Sequence, residues 1–226
     1  MKKNKEASKK KGSGFYRVIY TIFRGIVGLV LNVRVVGGDK ESAKGGYIVC
    51  ANHISACDPV CLCYAFRKNQ VRFMAKKELF KIPVLSWLIR MLGAFPIDRS
   101  GNDVGAIKKA ISIAGGDGCL GIFPQGHRYP AQDPRKTKVK TGAAMIASKS
   151  GADIVPVYLW TKKKKKTLFG RVYVVIGDRI PFSELGYDPG AKGEYLRISQ
   201  LIFDRICALG EEFDAKKKNK KGNKVK

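Results

Sequence analysis

Residues 47–59 read Tyr47-Ile48-Val49-Cys50-Ala51-Asn52-His53-Ile54-Ser55-Ala56-Cys57-Asp58-Pro59. The first five form a short apolar run, the pattern of a strand covered on both faces. The run ends at two polar residues, Asn52 and His53. Asp58-Pro59 then opens a helix expected to reach about Arg67, with Asp58 able to cap it and Pro59 at the first helical position. A buried strand, a polar loop and a helix thus follow one another within a few residues. That succession is the repeating unit of α/β domains.

The same alternation continues outward in both directions. Upstream, 33–37 alternates like a short strand, and 39–46 is a polar loop ending in two glycines. Downstream, strands are expected near 71–75, within 93–99, at 119–124, at 154–160 and at 171–177. Helical stretches at 83–92, 102–114, 141–150 and about 191–213 lie between or after them. No internal repeat is visible. The expectation is one α/β domain over 33–213, a mixed and largely parallel sheet flanked by helices.

Outside that domain the composition changes. The formal net charge is +26, and residues 1–14, 162–166 and 216–226 carry +5, +5 and +7 of it, leaving +9 for the rest. Residues 1–14 and 214–226 therefore read as disordered basic tails. Between the first tail and the domain, 15–32 is aromatic-rich and apolar, yet its longest charge-free run, 25–33, falls well short of the roughly 20 residues needed to span a bilayer. Arg17, Thr21, Arg24, Gly28 and Asn32 recur at helical spacing and make one narrow polar stripe. Such a helix can lie in a membrane interface, pack against its own protein, or do both. Lysine tails suit a polyanionic partner, at about 1 kcal/mol per lysine near an anionic bilayer. Charge by itself also suits nucleic acid, but the basic runs lie outside the folded body and no aromatic-basic surface accompanies them, so no nucleic-acid partner is expected.

The six cysteines cluster among apolar residues without a paired CxxC, and only two histidines are present, so neither a zinc site nor another metal or cofactor is expected. No signal peptide is expected either.

Three polar constellations follow apolar strands, where open α/β sheets place their ligands. The first is His53 with Asp58. Five residues of ideal helix would set them about 140° apart, so they can meet only if His53 lies in a loop and Asp58 at a helix start. A carboxylate there would hold the imidazole tautomer and leave the other ring nitrogen as a base. A core histidine beside an ordinary helix cap fits the same residues. The second constellation is Asp98-Arg99, and the third is Gln125-Gly126-His127-Arg128 with Lys140 behind it. Arginine binds phosphate through two parallel charge-assisted hydrogen bonds, and Gly126 lets backbone approach a ligand. There is no GxSxG elbow and no GxxxxGK loop, so neither serine hydrolysis nor nucleotide hydrolysis is indicated.

With these residues in view, the sequence resembles the lysophospholipid acyltransferases. Asn52-His53 and Asp58 are similar to that family's NHxxxxD block, 93–99 to its second block, 123–128 to its FPEGTR block, and 154–157 to its fourth, proline-containing block. Order and spacing are kept. The resemblance implies that His53 is the general base for an acceptor hydroxyl and that Asp58 orients it. It implies substrate-binding roles for Asn52, Lys76, Arg99, Gln125, Gly126 and Arg128. The implied reaction moves a fatty acyl group from acyl carrier protein or acyl-CoA to the sn-2 hydroxyl of lysophosphatidic acid, giving phosphatidic acid without an acyl-enzyme. A different lysophospholipid or a lyso-aminolipid is the alternative acceptor. A non-catalytic membrane-binding protein is a more remote reading. The implied location is peripheral, on the cytoplasmic face of the cell membrane. Two residues depart from the family: Gln125 stands where it usually has glutamate and His127 where it usually has threonine. Those departures are expected to bear on acceptor choice rather than on reaction type.

Overall fold

A computed structural model describes residues 25, 27–42, 44–98, 100–101, 103–162 and 170–222. The tail at 1–14, all but the last residues of the 15–32 segment, Arg99 and the lysines at 163–166 lie outside these described residues.

Seven strands form one sheet: β1 (Val33–Val36), β2 (Tyr47–Ala51), β3 (Val71–Lys76), β4 (Phe95–Ile97), β5 (Cys119–Ile122), β6 (Asp153–Trp160) and β7 (Val172–Ile176). Their spatial order is β1-β7-β6-β2-β5-β3-β4. Every neighbouring pair is parallel except β6 and β7, whose registers run antiparallel from Val157 opposite Ile176 to Trp160 opposite Tyr173. The expected mixed, largely parallel α/β sheet is what the chain forms.

The helices are α1 (Asp58–Ala65), α2 (Pro83–Met91), α3 (Val104–Gly115), α4 (Gly142–Ser150) and α5 (Glu194–Gly222). They divide the core into two layers. Ile48, Cys50, Leu120 and Ile154 point to the side covered by α3, α4 and α5, where Ala110, Ile146, Ile202 and Phe203 close over them. Tyr47, Val49, Ala51 and Val155 point to the other side, against Leu62, Phe66 and Phe73. The period-two alternation of β2 thus feeds both layers, which is why all five of its residues are buried.

Two features depart most from the sequence expectation. The final helix does not stop at 213 but continues to Gly222, so most of the stretch expected as a disordered tail is helical. The cause is an aromatic cluster. Trp160 and Tyr173, at the join of β6 and β7, pack with Phe213; the Trp160 indole N–H donates to Asp214, and the Lys217 ammonium sits 3.7 Å from the Tyr173 ring centre. Lysine over two aromatic faces ties the helix down beyond its apolar part. The second difference is at the amino-terminal end. Gly28, in the expected polar stripe, faces the protein, since a Cβ there would lie 2.7 Å from the Tyr64 ring. Val27 is buried and Leu31 packs on the core, while Leu29 is 82% exposed. At this end the stripe marks a packing face, and the outward face is apolar.

Candidate active site

β2, β3, β5 and β6 run parallel, so their carboxyl ends share one end of the sheet. The polar constellations gather there. The backbone leaves β2 at Ala51, the last residue in register with β6. Asn52 then continues the ladder with its side chain: its Nδ2 donates to the Leu159 carbonyl at 3.1 Å and its Oδ1 accepts from the Leu159 amide at 2.7 Å. An amide side chain stands in for a peptide group, freeing the main chain to turn. Asn52 is buried and both of its polar atoms are occupied, so it positions the loop; the substrate-binding role expected of it does not fit this geometry.

His53 and Asp58 meet. The imidazole Nδ1 is 2.7 Å from Asp58 Oδ2, and the same oxygen accepts from the Ile54 amide at 2.6 Å and the Ser55 amide at 2.7 Å. Asp58 is therefore not a cap for its own helix, where no side-chain capping bond forms. Its carboxylate turns back and gathers the loop. An ionised carboxylate can only accept, so Nδ1 carries the hydrogen, and in the neutral ring Nε2 is the nitrogen with the lone pair. The His53 side chain is 16% exposed and that of Asp58 3%. An imidazole near the surface is held by a carboxylate beneath it.

Three further contacts fix the ring and its backbone. The His53 amide donates to Gln125 Oε1 at 2.6 Å, and the Tyr129 amide donates to the His53 carbonyl at 2.8 Å. The imidazole stacks on Phe123, with ring centres 4.1 Å apart and planes 16° from parallel. Phe123 stacks in turn on Phe73, at 5.8 Å. This row of rings is possible because β5 has no side chain at Gly121, directly opposite Phe73: a Cβ there would lie 2.1 Å from the Phe73 ring. The segment 123–129 was expected to contribute an arginine and a flexible glycine. Its largest contribution is this support of His53, which no local spacing rule reveals.

Gln125 is buried, and its second polar atom, Nε2, donates to Thr137 Oγ1 at 2.8 Å. Thr137 passes its own hydrogen to the Pro134 carbonyl at 2.6 Å. A glutamate could accept from His53 but could not donate to Thr137, so glutamine is the residue this chain of bonds requires. Gln125 faces protein, not acceptor, and the expected link between this departure and acceptor choice is corrected on that ground. Gly126 adopts φ +70°, and a Cβ there would press within 3.1 Å of the Lys140 side chain. Both facts favour glycine in this turn.

The basic residues lie at the same end but in the open. Arg128 and His127 are exposed, one and two residues before Tyr129, whose amide holds the His53 carbonyl. Lys76 ends β3, and its ammonium lies 3.7 Å from Glu78. Asp98 is tied to Lys77 and to the Ser100 hydroxyl, which hold its carboxyl below the usual range. Its neighbour Arg99 lies outside the described residues. Among the described residues no group of histidine, cysteine and carboxylate side chains could hold a metal.

A largely parallel sheet carrying a histidine–carboxylate pair at the carboxyl ends of its central strands, with cations at the rim, is the arrangement of an α/β enzyme fold. Residues 32–160 match the Acyltransferase family, and the chain belongs to that family. It is 37% identical over 178 residues to the 1-acyl-sn-glycerol-3-phosphate acyltransferase of Streptococcus pneumoniae, an alignment covering 75% of this chain and 65% of the pneumococcal protein. It is 26% identical to the protein of the same name from Bacillus subtilis, over 88% of this chain and 98% of that one. Among solved structures, the 1-acyl-sn-glycerophosphate (LPA) acyltransferase PlsC from Thermotoga maritima is similar, with a TM-score of 0.66 and 28% identity over 88% of this chain and 80% of that one.

Proposed function

We propose that this chain transfers a fatty acyl group from a thioester to the sn-2 hydroxyl of lysophosphatidic acid, giving phosphatidic acid. The observation that carries the reading is the His53–Asp58 contact at 2.7 Å, with Nε2 left as the outward-facing base. Nε2 takes the proton of the acceptor hydroxyl as its oxygen forms a bond to the thioester carbonyl carbon. The imidazolium is stabilised by the Asp58 carboxylate beneath it and by the face of Phe123. Collapse of the tetrahedral intermediate breaks the carbon–sulfur bond, and His53 returns the proton to the departing thiolate. No acyl-enzyme forms, and acyl carrier protein or acyl-CoA serves as donor. Arg128, with Lys76 and Arg99, supplies the acceptor phosphate with charge-assisted bonds. The names of the similar bacterial proteins support the acceptor.

The enzyme works from the membrane surface, on the cytoplasmic side, where both lipid acceptor and soluble donor can reach the strand ends. Among the described residues no helix is long and apolar enough to cross a membrane. A second acceptor class, a lysophospholipid with a larger headgroup or a lyso-aminolipid, is favoured by one observation: His127 is exposed beside Arg128.

Purified protein given acyl carrier protein or CoA thioesters and lysophosphatidate should form phosphatidate. His53→Ala should lower turnover by about 10²–10⁴-fold or more, the usual contribution of a general base. Retained turnover in that variant would overturn the mechanism, and turnover only with phosphate-free acceptors would overturn the acceptor.

A further inference from the structure

Helix α2 and the 3₁₀ turn before it, Lys77–Lys81, present an unusual surface. The helix reads Pro-Val-Leu-Ser-Trp-Leu-Ile-Arg-Met, a wide apolar arc beside a narrow polar stripe of Ser86 and Arg90, yet none of its nine residues is fully buried. An apolar arc that wide ordinarily faces a protein core or a bilayer. Here its inner side, through Leu88, rests on the core, while Ile82 is 52%, Val84 79% and Trp87 63% exposed. Val84 and Trp87 are three residues apart and so adjacent on the helix surface. Leu79, at the preceding turn, is exposed as well. The segment follows β3 directly, so it leaves the sheet at the end where β2 delivers His53.

We infer that the 79–87 ledge is a second membrane-insertion element, which dips into an anionic bilayer beside the catalytic end of the sheet. Three observations favour a bilayer over a protein occupant. The ledge is an aromatic-and-aliphatic tip with a basic rim, Lys81 exposed at its base and Arg90 held against the Phe80 ring at 4.9 Å, the composition of interfacial anchors. The chain as a whole carries +26, which draws it to anionic lipid. The outward side of the helix leading into β1 is also apolar, at Leu29 and Val30, and β1 begins at the same end of the sheet. Two exposed apolar elements at the end that must receive a lipid acceptor are matched to one lipid surface. The inference rests on the proposed function only for that acceptor; bilayer insertion is read without turnover.

The test uses the full chain with vesicles of phosphatidylcholine and phosphatidylglycerol. Tryptophan emission should shift to the blue on vesicle addition and be quenched by brominated lipid, and Trp87→Phe should remove that response while keeping vesicle binding. The variant Ile82→Asp/Val84→Asp should lose roughly tenfold or more in vesicle partitioning. It should keep its activity on a short-chain, water-soluble lysophosphatidate while losing activity on the vesicle-borne acceptor. Brominated lipid that fails to quench Trp87 in the wild-type protein would overturn the inference whatever the fold of the double variant. So would wild-type partitioning in a folded double variant, or an equal loss of activity on soluble and vesicle-borne acceptors. If the substitutions instead abolished capture by immobilised acyl carrier protein and spared vesicle binding, the occupant would be that acidic protein and not the bilayer. Absence of activity in every wild-type assay would count against the proposed function alone.

Discussion

At the end of β2, Asn52, His53, Asp58 and Gln125 are tied to one another, to backbone or to Thr137. At the rim of the same site, His127 and Arg128 stand exposed, and the Lys76 ammonium lies 3.7 Å from a neighbouring glutamate, Glu78. The first region is organised before any substrate arrives. The second is left to water, and its cations keep their freedom to meet a phosphate. A general base must be placed within a few tenths of an ångström of its proton, whereas a diffuse anion tolerates a mobile partner. The difference teaches that backbone amides and buried amide side chains fix the loop around His53, and that under the proposed function the rim cations would contribute attraction alone.

The comparison can be broken first at Asp58. Asp58→Asn offers one carbonyl oxygen, or an NH2 group, to three converging donors. Turnover should fall about 100-fold or more, and stability by about 2 kcal/mol, read from kcat and from denaturant midpoints. Wild-type turnover in that variant would remove the carboxylate from the mechanism. Next comes Gly121, which meets the ring row at Phe73. Gly121→Val must displace Phe73 and with it the rings behind His53, costing about 1–3 kcal/mol of stability. Its kcat should fall more than its KM rises, because the misplaced group is the base; an unaltered kcat in the folded variant would make the ring row mere packing.

Two substitutions probe the rim and the layer beneath it. Arg128→Ala should raise KM for a phosphate-bearing acceptor about tenfold with little change in kcat, the loss of one charge-assisted contact. An equal rise for an acceptor without phosphate would separate this arginine from the phosphate. Gln125→Glu should have the smallest effect, about 1 kcal/mol of stability from the lost bond to Thr137, with acceptor preference unchanged. A shift in acceptor preference there would erase the distinction between the organised loop and the open rim.

Much of this arrangement was legible in the sequence. Apolar runs of strand length alternating with helical stretches gave the α/β order, and the His53–Asp58 spacing permitted the contact that forms. Three things were not legible, for physical reasons. Asn52 and Gln125 look like ligand-binding amides because their partners, Leu159 and Thr137, are distant in sequence or carry no pattern of their own. Phe123 reads as the last apolar residue of a strand, and only the tertiary fold turns its face to His53. The lysine-rich end of α5 reads as disorder from composition alone, whereas Trp160 and Tyr173 supply the surface that keeps it helical through Lys217. The family resemblance assigned Asn52 and Gln125 to substrate, whereas the geometry ties both to the loop that carries His53.

The Asn52 bridge also has a consequence in time. Leu159 lies beyond the last main-chain pairing of β2 with β6, where amides ordinarily fray and exchange their hydrogens with solvent. Because the Asn52 carbonyl takes the Leu159 N–H in a buried position, that amide should be among the slowest in the molecule to exchange with deuterium. The opening that releases it would also free the turn before His53. Its exchange rate is therefore a clock for how often the catalytic loop comes undone.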